Sequence, residues 1–213
     1  MLITQILLVC ISQKDTIVEI FNVLDGEILF IRNFLSPADA KHYFNLLQNN
    51  INWKQEEVRF YGKTHPVPRK TAWYGNAGLN YSYSGIKCFP EKWTKELLYI
   101  KTEIEKFIPD DDFTSVLLNL YKNGNDKMGW HADDEKELGE NPTIASVSLG
   151  ETRRFDIKHK HNPDLNFKFE LTSGSLLIMR GALQHHWVHQ IPAQKKVKNP
   201  RINLTFRTIK KSS

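Results

Sequence analysis

Hydrophobic and polar positions alternate along most of this chain, and only two segments break into a helical rhythm. Ile17 to Leu24 and Glu27 to Ile31 are apolar-rich runs separated by Asp25-Gly26, a two-residue spacer that predicts a β-hairpin. Ser36-Pro37 then carries the signature of a helix start, with Ser as N-cap, Pro at the first helical position and Asp39 in the first turn. This helix is expected to end near Asn49. Pro90 is expected to open a second helix. Within it Trp93, Leu97, Ile100, Ile104 and Phe107 recur at three- and four-residue spacing and make one apolar face, and Pro109 ends it. From there the period is two. Val116–Tyr121, Thr143–Leu149, Arg153–Lys158, Phe167–Leu171, Ser175–Met179 and Arg201–Ile209 read as strands parted by Gly, Pro and Asn clusters. Two early helices followed by many short strands predict an α+β protein built on a β-sandwich or jelly roll.

The N-terminal run Leu2 to Ile11 is interrupted by Thr4 and Gln5, follows no basic residue and is too short to span a bilayer. It reads as a buried strand, which leads us to expect a soluble intracellular protein of cytoplasm or nucleus with no membrane partner. No repeat or linker divides the 213 residues, so one domain is expected, residues 31–213, preceded by an extension over residues 1–30 that reads as strand or hairpin. Two cysteines, Cys10 and Cys88, are too few for a disulfide framework and read as free thiols. The formal charge of +5 is unevenly spread: Leu171 to Ser213 contains no acid but holds Arg180, Lys195, Lys196, Lys198, Arg201, Arg207, Lys210 and Lys211. A second basic stretch runs through Arg59, Lys63, Arg69 and Lys70. Such a split suits a phosphate-binding surface, although each cluster alone is equally a solvated face.

The candidate chemistry begins at His131-Ala132-Asp133. In an extended segment residues two apart point the same way, so both side chains can reach one metal. A further histidine would complete a two-histidine, one-carboxylate face that leaves positions open for a bidentate 2-oxoacid and oxygen on iron. His185, His186 and His189 are the candidates, and spacing alone leaves the choice open. On Arg-Ile-Asn-Leu-Thr-Phe-Arg, alternation puts Arg201, Asn203, Thr205 and Arg207 on one face and Ile202, Leu204 and Phe206 on the other. Inward-pointing arginines are costly unless they meet anions, and a dicarboxylate supplies two.

The run of motifs from Asn119 to Arg207 resembles the AlkB family of iron(II)- and 2-oxoglutarate-dependent dioxygenases. It contains Asn-Leu-Tyr (119–121), Gly-Trp-His-Ala-Asp-Asp-Glu (129–135), Ala-Ser-Val-Ser-Leu-Gly (145–150), Gly-Ser-Leu-Leu-Ile-Met (174–179), His-Trp-Val-His-Gln-Ile-Pro (186–192) and Pro-Arg-Ile-Asn-Leu-Thr-Phe-Arg (200–207). Upstream, Val-Pro-Arg-Lys (67–70) and Tyr-Gly-Asn-Ala-Gly-Leu-Asn-Tyr-Ser-Tyr-Ser-Gly (74–85) resemble the branch that repairs double-stranded DNA. The resemblance implies a double-stranded β-helix (jelly roll) with the N-terminal helices packed on one sheet. It implies iron(II) held by His131, Asp133 and His189, with 2-oxoglutarate and O2 as cosubstrates. Arg201 would pair the distal carboxylate with help from Tyr121. Asn119 and Arg207 would serve the metal-bound end, with Asn203 and Thr205 in the same pocket.

A nucleotide-recognition region near residues 55–90 is also implied. Val-Arg-Phe-Tyr-Gly-Lys (58–63) would probe the duplex, with Tyr61 at the wedge position where the family pattern has Phe, flanked by Gly62 and Lys63. Arg69 would join this surface. Tyr81, Ser82 and Tyr83 would border a flipped base, Asp134 would touch the lesion, and Lys195, Lys196 and Lys198 would hold phosphates. The residue types agree, because extruding a base needs a wedge, aromatic walls and cations. The implied activity is oxidative demethylation of N1-methyladenine and N3-methylcytosine in DNA by a monomer, releasing succinate, CO2 and formaldehyde. Competing readings are a related oxygenase acting on RNA or protein, a silent nucleic-acid-binding jelly roll, and a zinc hydrolase on the same three ligands.

Overall fold

The structure is a computed structural model that describes residues 5–11, 16–60, 63–79, 81–83 and 86–210. The side chains of residues 5, 10, 11, 58–60, 63, 81–83 and 86–88 lie outside the description, which includes both cysteine thiols.

Strands β1 (Gln5–Ile11), β2 (Thr16–Val23) and β3 (Gly26–Ile31) form an antiparallel meander. Asp25 closes the β2–β3 turn at φ 62°, a conformation the Asp-Gly pair tolerates. Helix α1 (Pro37–Asn50) starts where the sequence predicts, with the Ser36 hydroxyl accepting from the Asp39 N–H at 3.1 Å. Strands β4 (Glu57–Phe60) and β5 (Lys63–Pro66) pair as a separate ribbon, as do β7 (Tyr81–Tyr83) and β8 (Ile86–Cys88), while β6 (Lys70–Gly75) joins the large sheet. The second helix does not start at Pro90. Residues 91–92 form a short strand, β9 (Glu91–Lys92), parallel to β6, and α2 (Lys95–Glu105) is capped by Thr94, whose hydroxyl accepts from the Leu97 N–H at 3.3 Å. A capping threonine with a free hydroxyl satisfies an orphan N–H that a proline four residues earlier cannot reach.

The remaining strands are β10 (Ser115–Tyr121), β11 (Met128–His131), β12 (Ile144–Gly150), β13 (Arg153–His159), β14 (Asn166–Leu171), β15 (Ser175–Arg180), β16 (Trp187–Ile191) and β17 (Arg201–Arg207), with a single helical turn α3 (Leu183–His186) before β16. The chain crosses repeatedly between two sheets. One is nine-stranded, in the order β1-β2-β3-β15-β12-β17-β10-β6-β9; the other is four-stranded, β11-β16-β13-β14. This is a jelly roll with helices on one sheet. Strands β11 and β16, each carrying a candidate ligand, were missed in the sequence because both are short, β11 holds a glycine, and β16 opens on two adjacent apolar residues.

The two faces of the large sheet have different work. Val116 and Leu118, Ala145, Val147 and Leu149, and Ile202, Leu204 and Phe206 pack with Leu47, Leu97, Ile100 and Ile104 of the helices. The opposite face carries Asn119 and Tyr121, Ser146 and Ser148, and Arg201, Asn203 and Thr205, all buried. A sheet covered on both sides reads as continuously buried strands, yet here one face is polar, which marks the space between the sheets as a site rather than plain core. The described residues contain no helix long and apolar enough to cross a membrane.

Candidate active site

Three ligand-type side chains meet between the sheets. His131 ends β11, Asp133 lies two residues on, and His189 is the register partner of His131 on β16. One ligand atom from each lies within 4.8 Å of the others. His189 Nε2 is 3.7 Å from Asp133 Oδ2, and the two imidazoles are 4.2 Å apart between centroids. The other two histidines lie elsewhere: His185 accepts the Asn141 N–H at 3.4 Å, and His186 faces Asp25.

The protonation pattern suits a cation. His131 Nδ1 sits 2.8 Å from the Gly129 carbonyl, so it carries the proton and leaves Nε2 as a free lone pair. Burial lowers the His189 pKa to about 3 against the opposing pull of Asp133, so its ring is neutral at physiological pH. Burial works to raise the Asp133 pKa, but Arg207, His189 and His131 outweigh it and hold the carboxyl below its usual range. Arg207 donates from Nη2 to Asp133 Oδ1, which leaves Oδ2 toward His189. A neutral His189 imidazole, a His131 ring tied through Nδ1 and an ionised carboxylate on one side of a buried space fit a divalent metal, and the donor set suits iron(II) with open positions.

Behind this group the polar face of β17 makes an anion cradle. Arg201 is 1% exposed and donates from Nη2 to Ser148 Oγ at 2.8 Å and Asn203 Oδ1 at 2.7 Å. Its Nε and Nη1 are buried and lack a well-formed hydrogen bond among the described residues. Its guanidinium lies 5.3 Å from the Tyr121 ring centroid. Asn203 also accepts from Ser146 Oγ at 2.8 Å and donates to Thr205 Oγ1 at 2.7 Å, so this row is locked. Burial brings the Arg201 pKa down to about 10, with Tyr121 opposing, so it stays cationic at neutral pH. A buried cation with two unpartnered nitrogens is poised for a carboxylate. Asn119 accepts from Arg69 Nε at 2.7 Å, which ties the residue 67–70 segment to the same pocket.

Other expected residues are placed less completely. Asp134 is half-exposed, 3.8 Å from Lys160 Nζ. Tyr61 and Gly62 lie outside the described residues; Lys63, Tyr81, Ser82 and Tyr83 are placed by backbone alone, on β5 and β7. Lys195, Lys196 and Lys198 are exposed on the β16–β17 loop. The basic C-terminal tract is not one surface, however, because Arg201 and Arg207 turn inward and Arg180 pairs with Glu27. Arg153, fully buried, was not singled out from the sequence. It donates to the carbonyls of Asn123, Asp126 and Pro192 and to Gln194 Oε1, clamping the loops around the site.

A second group, Asp25, His159 and His186, also has metal-ligand geometry among the described residues. Its proton pattern is opposite. His159 Nδ1 accepts two backbone N–H bonds, from His161 at 3.1 Å and Asn162 at 3.0 Å, so the proton must sit on Nε2, where it faces Asp25 Oδ2 at 3.2 Å. A metal at Nε2 would have to displace that proton from a ring already accepting on its other nitrogen. This group is a hydrogen-bonded clasp between the β2–β3 turn and the small sheet.

Fold and site together define a jelly roll that binds a divalent metal and a dicarboxylate side by side. Comparison with known proteins agrees: residues 27–207 match the model of the 2OG-Fe(II) oxygenase superfamily. The chain is 38% identical over 210 residues to Alpha-ketoglutarate-dependent dioxygenase alkB homolog 3 of Bos taurus, covering 93% of this chain and 72% of the relative. It is 39% identical over 182 residues to DNA oxidative demethylase ALKBH2 of Homo sapiens, covering 81% and 69%. Among solved structures, OsALKBH1 superposes with a TM-score of 0.63 at 18% identity, covering 88% of this chain and 100% of the other. A prolyl hydroxylase from Trichoplax adhaerens does so at 0.56 and 12%, covering 85% and 83%. These last two speak for the fold alone. The chain belongs to the AlkB family of the 2OG-Fe(II) oxygenase superfamily and is an Fe(II)/2-oxoglutarate-dependent dioxygenase.

Proposed function

We propose that this dioxygenase oxidatively demethylates alkylated bases of DNA, with N1-methyladenine and N3-methylcytosine as substrates. The observation that carries the cosubstrate chemistry is the buried Arg201 guanidinium with two nitrogens unpartnered among the described residues, together with the His131, Asp133 and His189 group. The kinship to proteins named DNA oxidative demethylase supports the DNA substrate.

In this reading His131 Nε2, Asp133 Oδ2 and His189 hold iron(II). When bound, iron with 2-oxoglutarate and O2 supplies the oxidising power that hydroxylates an N-methyl group. Arg201 binds the distal carboxylate and Tyr121 covers the guanidinium face. Arg207 keeps Asp133 ionised and, with Asn119, Asn203 and Thr205, lines the pocket. The inserted oxygen turns N–CH3 into N–CH2OH, which breaks its C–N bond to release formaldehyde; 2-oxoglutarate leaves as succinate and CO2. An N1-methyladenine or N3-methylcytosine is cationic, so Asp134 suits its contact. Residues of about 55–90 form the nucleotide-recognition region of a catalytic domain spanning 31–213, with 1–30 as an extension. There Tyr61 and Gly62 probe the duplex, Lys63 and Arg69 meet phosphates, and Tyr81 to Tyr83 border the flipped base. The protein acts as an intracellular monomer on double-stranded DNA.

The test is release of formaldehyde and succinate from oligonucleotides carrying either lesion, with iron(II), 2-oxoglutarate and O2. His131→Ala, Asp133→Ala and His189→Ala should each abolish turnover, while His185→Ala keeps it. Normal iron and 2-oxoglutarate binding without turnover of any methylated DNA would overturn the DNA assignment. Turnover of methylated RNA alone would favour the RNA-directed alternative.

A further inference from the structure

The sequence offers three acids in a row, Asp133, Asp134 and Glu135, beginning two residues after His131. Only Asp133 enters the three-ligand group. Strand alternation does not make this choice, because β11 ends at His131 and the following residues have no regular structure. Something else must fix the backbone at position 133.

Gln184 meets that requirement. It sits in α3, wholly buried, 51 residues along the chain, and its Oε1 accepts the Asp133 N–H at 2.9 Å. Its own Nε2 is held against Met179 Sδ at 3.7 Å, which sets which end of the amide faces Asp133. The main-chain carbonyl of Gln184 accepts from Lys160 Nζ at 3.3 Å, and that ammonium is 3.8 Å from Asp134 Oδ2. One residue therefore addresses both acids: its side chain pins the backbone of Asp133, and its carbonyl anchors the cation that draws off the Asp134 carboxylate. Arg207 completes the arrangement by taking Asp133 Oδ1. The same short segment then runs into β16 and presents His189, so the partner of one ligand and the next ligand share a rigid support.

We propose that Gln184 is a positioning residue that selects Asp133 over Asp134 as the metal ligand, with Lys160 as its accessory. The inference rests on the metal site proposed above. It assigns to α3 a task beyond connecting two strands. A buried acceptor that orients a ligand is expected to affect metal affinity by about 10–100-fold, while leaving the Arg201 end of the pocket as it was.

The test uses Co(II) as the probe, titrated anaerobically into the full-length protein and followed by its ligand-field absorption. Gln184→Met keeps the length of the side chain and removes the oxygen; Gln184→Glu restores an oxygen at that point. The Met variant should bind Co(II) about 10–100-fold more weakly, with an altered absorption envelope, and the Glu variant should stay within about threefold of wild type. Binding of 2-oxoglutarate to the metal-free protein, followed by thermal shift, should be unchanged in both. Wild-type Co(II) affinity and spectrum in the Met variant would overturn the proposal. So would equal loss of Co(II) and 2-oxoglutarate binding in both variants, which marks Gln184 as general packing. If the Met variant does not fold, the Glu variant decides: loss of Co(II) binding with its oxygen retained would overturn the proposal. His131→Ala, which should lose Co(II) altogether, separates the two readings, since a wild-type protein that binds no Co(II) removes the metal site itself.

Discussion

Arg201 is the residue on which the site turns. It is buried with Nε and Nη1 unpartnered among the described residues, and such a charge destabilises the resting fold. Replacing it by Met, of similar length and apolar, should leave the melting temperature of the ligand-free protein unchanged or slightly higher. Ser148 and Asn203 lose a donor by that change, but Asn203 keeps Ser146. The same variant should lose 2-oxoglutarate affinity by at least about thirtyfold, the cost of roughly 2 kcal/mol for removing one partner of a buried charge pair. Thermal melts with and without 2-oxoglutarate check both halves, and a strongly destabilised, ligand-binding variant would contradict them. The pH dependence follows from the Arg201 pKa of about 10. Below that pH the guanidinium is charged and binds the carboxylate, and carboxylate binding favours the charged form and raises the pKa further. Titrations across the neutral range should therefore show 2-oxoglutarate affinity that does not fall through loss of the Arg201 charge.

Elements carry the geometry that individual residues exploit. Gly150 ends β12 opposite Arg201 in the register, at φ 86°, and a Cβ there would lie 2.6 Å from both Phe44 Cε2 and the Pro200 carbonyl. Gly150→Ala should therefore cost about 2–4 kcal/mol through strain and clash, a fall of roughly 4–16 °C in melting temperature for a chain of this size. Differential scanning calorimetry measures it, and a shift under a degree would refute the backbone argument. At this scale the sequence was informative where period and caps agree: the Asp-Gly turn, the Ser36 cap and the two faces of β17 are all found. It was uninformative where tertiary contacts decide. The start of α2 moved to Thr94, and Gln184 and Arg153 acquire meaning only through partners far along the chain. The choice among three histidines likewise needed either a family pattern or the pairing of β11 with β16.

At the scale of the whole molecule the question is how a protein of net charge +5 engages DNA. With Arg201 and Arg207 drawn inward and Arg180 paired to Glu27, the cations from Leu171 onward that lie exposed among the described residues are Lys195, Lys196, Lys198 and Lys210, and the first three share one loop. Their loop is braced from within. Gln194 Oε1 accepts the Arg154 N–H at 2.8 Å, the Gln194 N–H donates to the Gly124 carbonyl at 2.7 Å, and the Gly124 N–H donates to the Val197 carbonyl at 3.0 Å. A braced cationic loop adjoining the strand that bears His189 can hold a phosphate backbone while the site works on a base. Each neutralised phosphate releases condensed counterions, so log affinity for duplex DNA should fall linearly with log salt. Changing all three lysines to Gln should reduce the magnitude of that slope by about 2–3, near one per phosphate contact, and weaken binding uniformly across sequences. Because none of the three reaches the pocket, iron(II) and 2-oxoglutarate affinities should not change. Fluorescence anisotropy over a range of salt concentrations measures the slope. An unchanged slope would move the phosphate contacts off this loop and onto the 58–70 segment, where Arg59, Lys63, Arg69 and Lys70 supply the remaining cluster of cations.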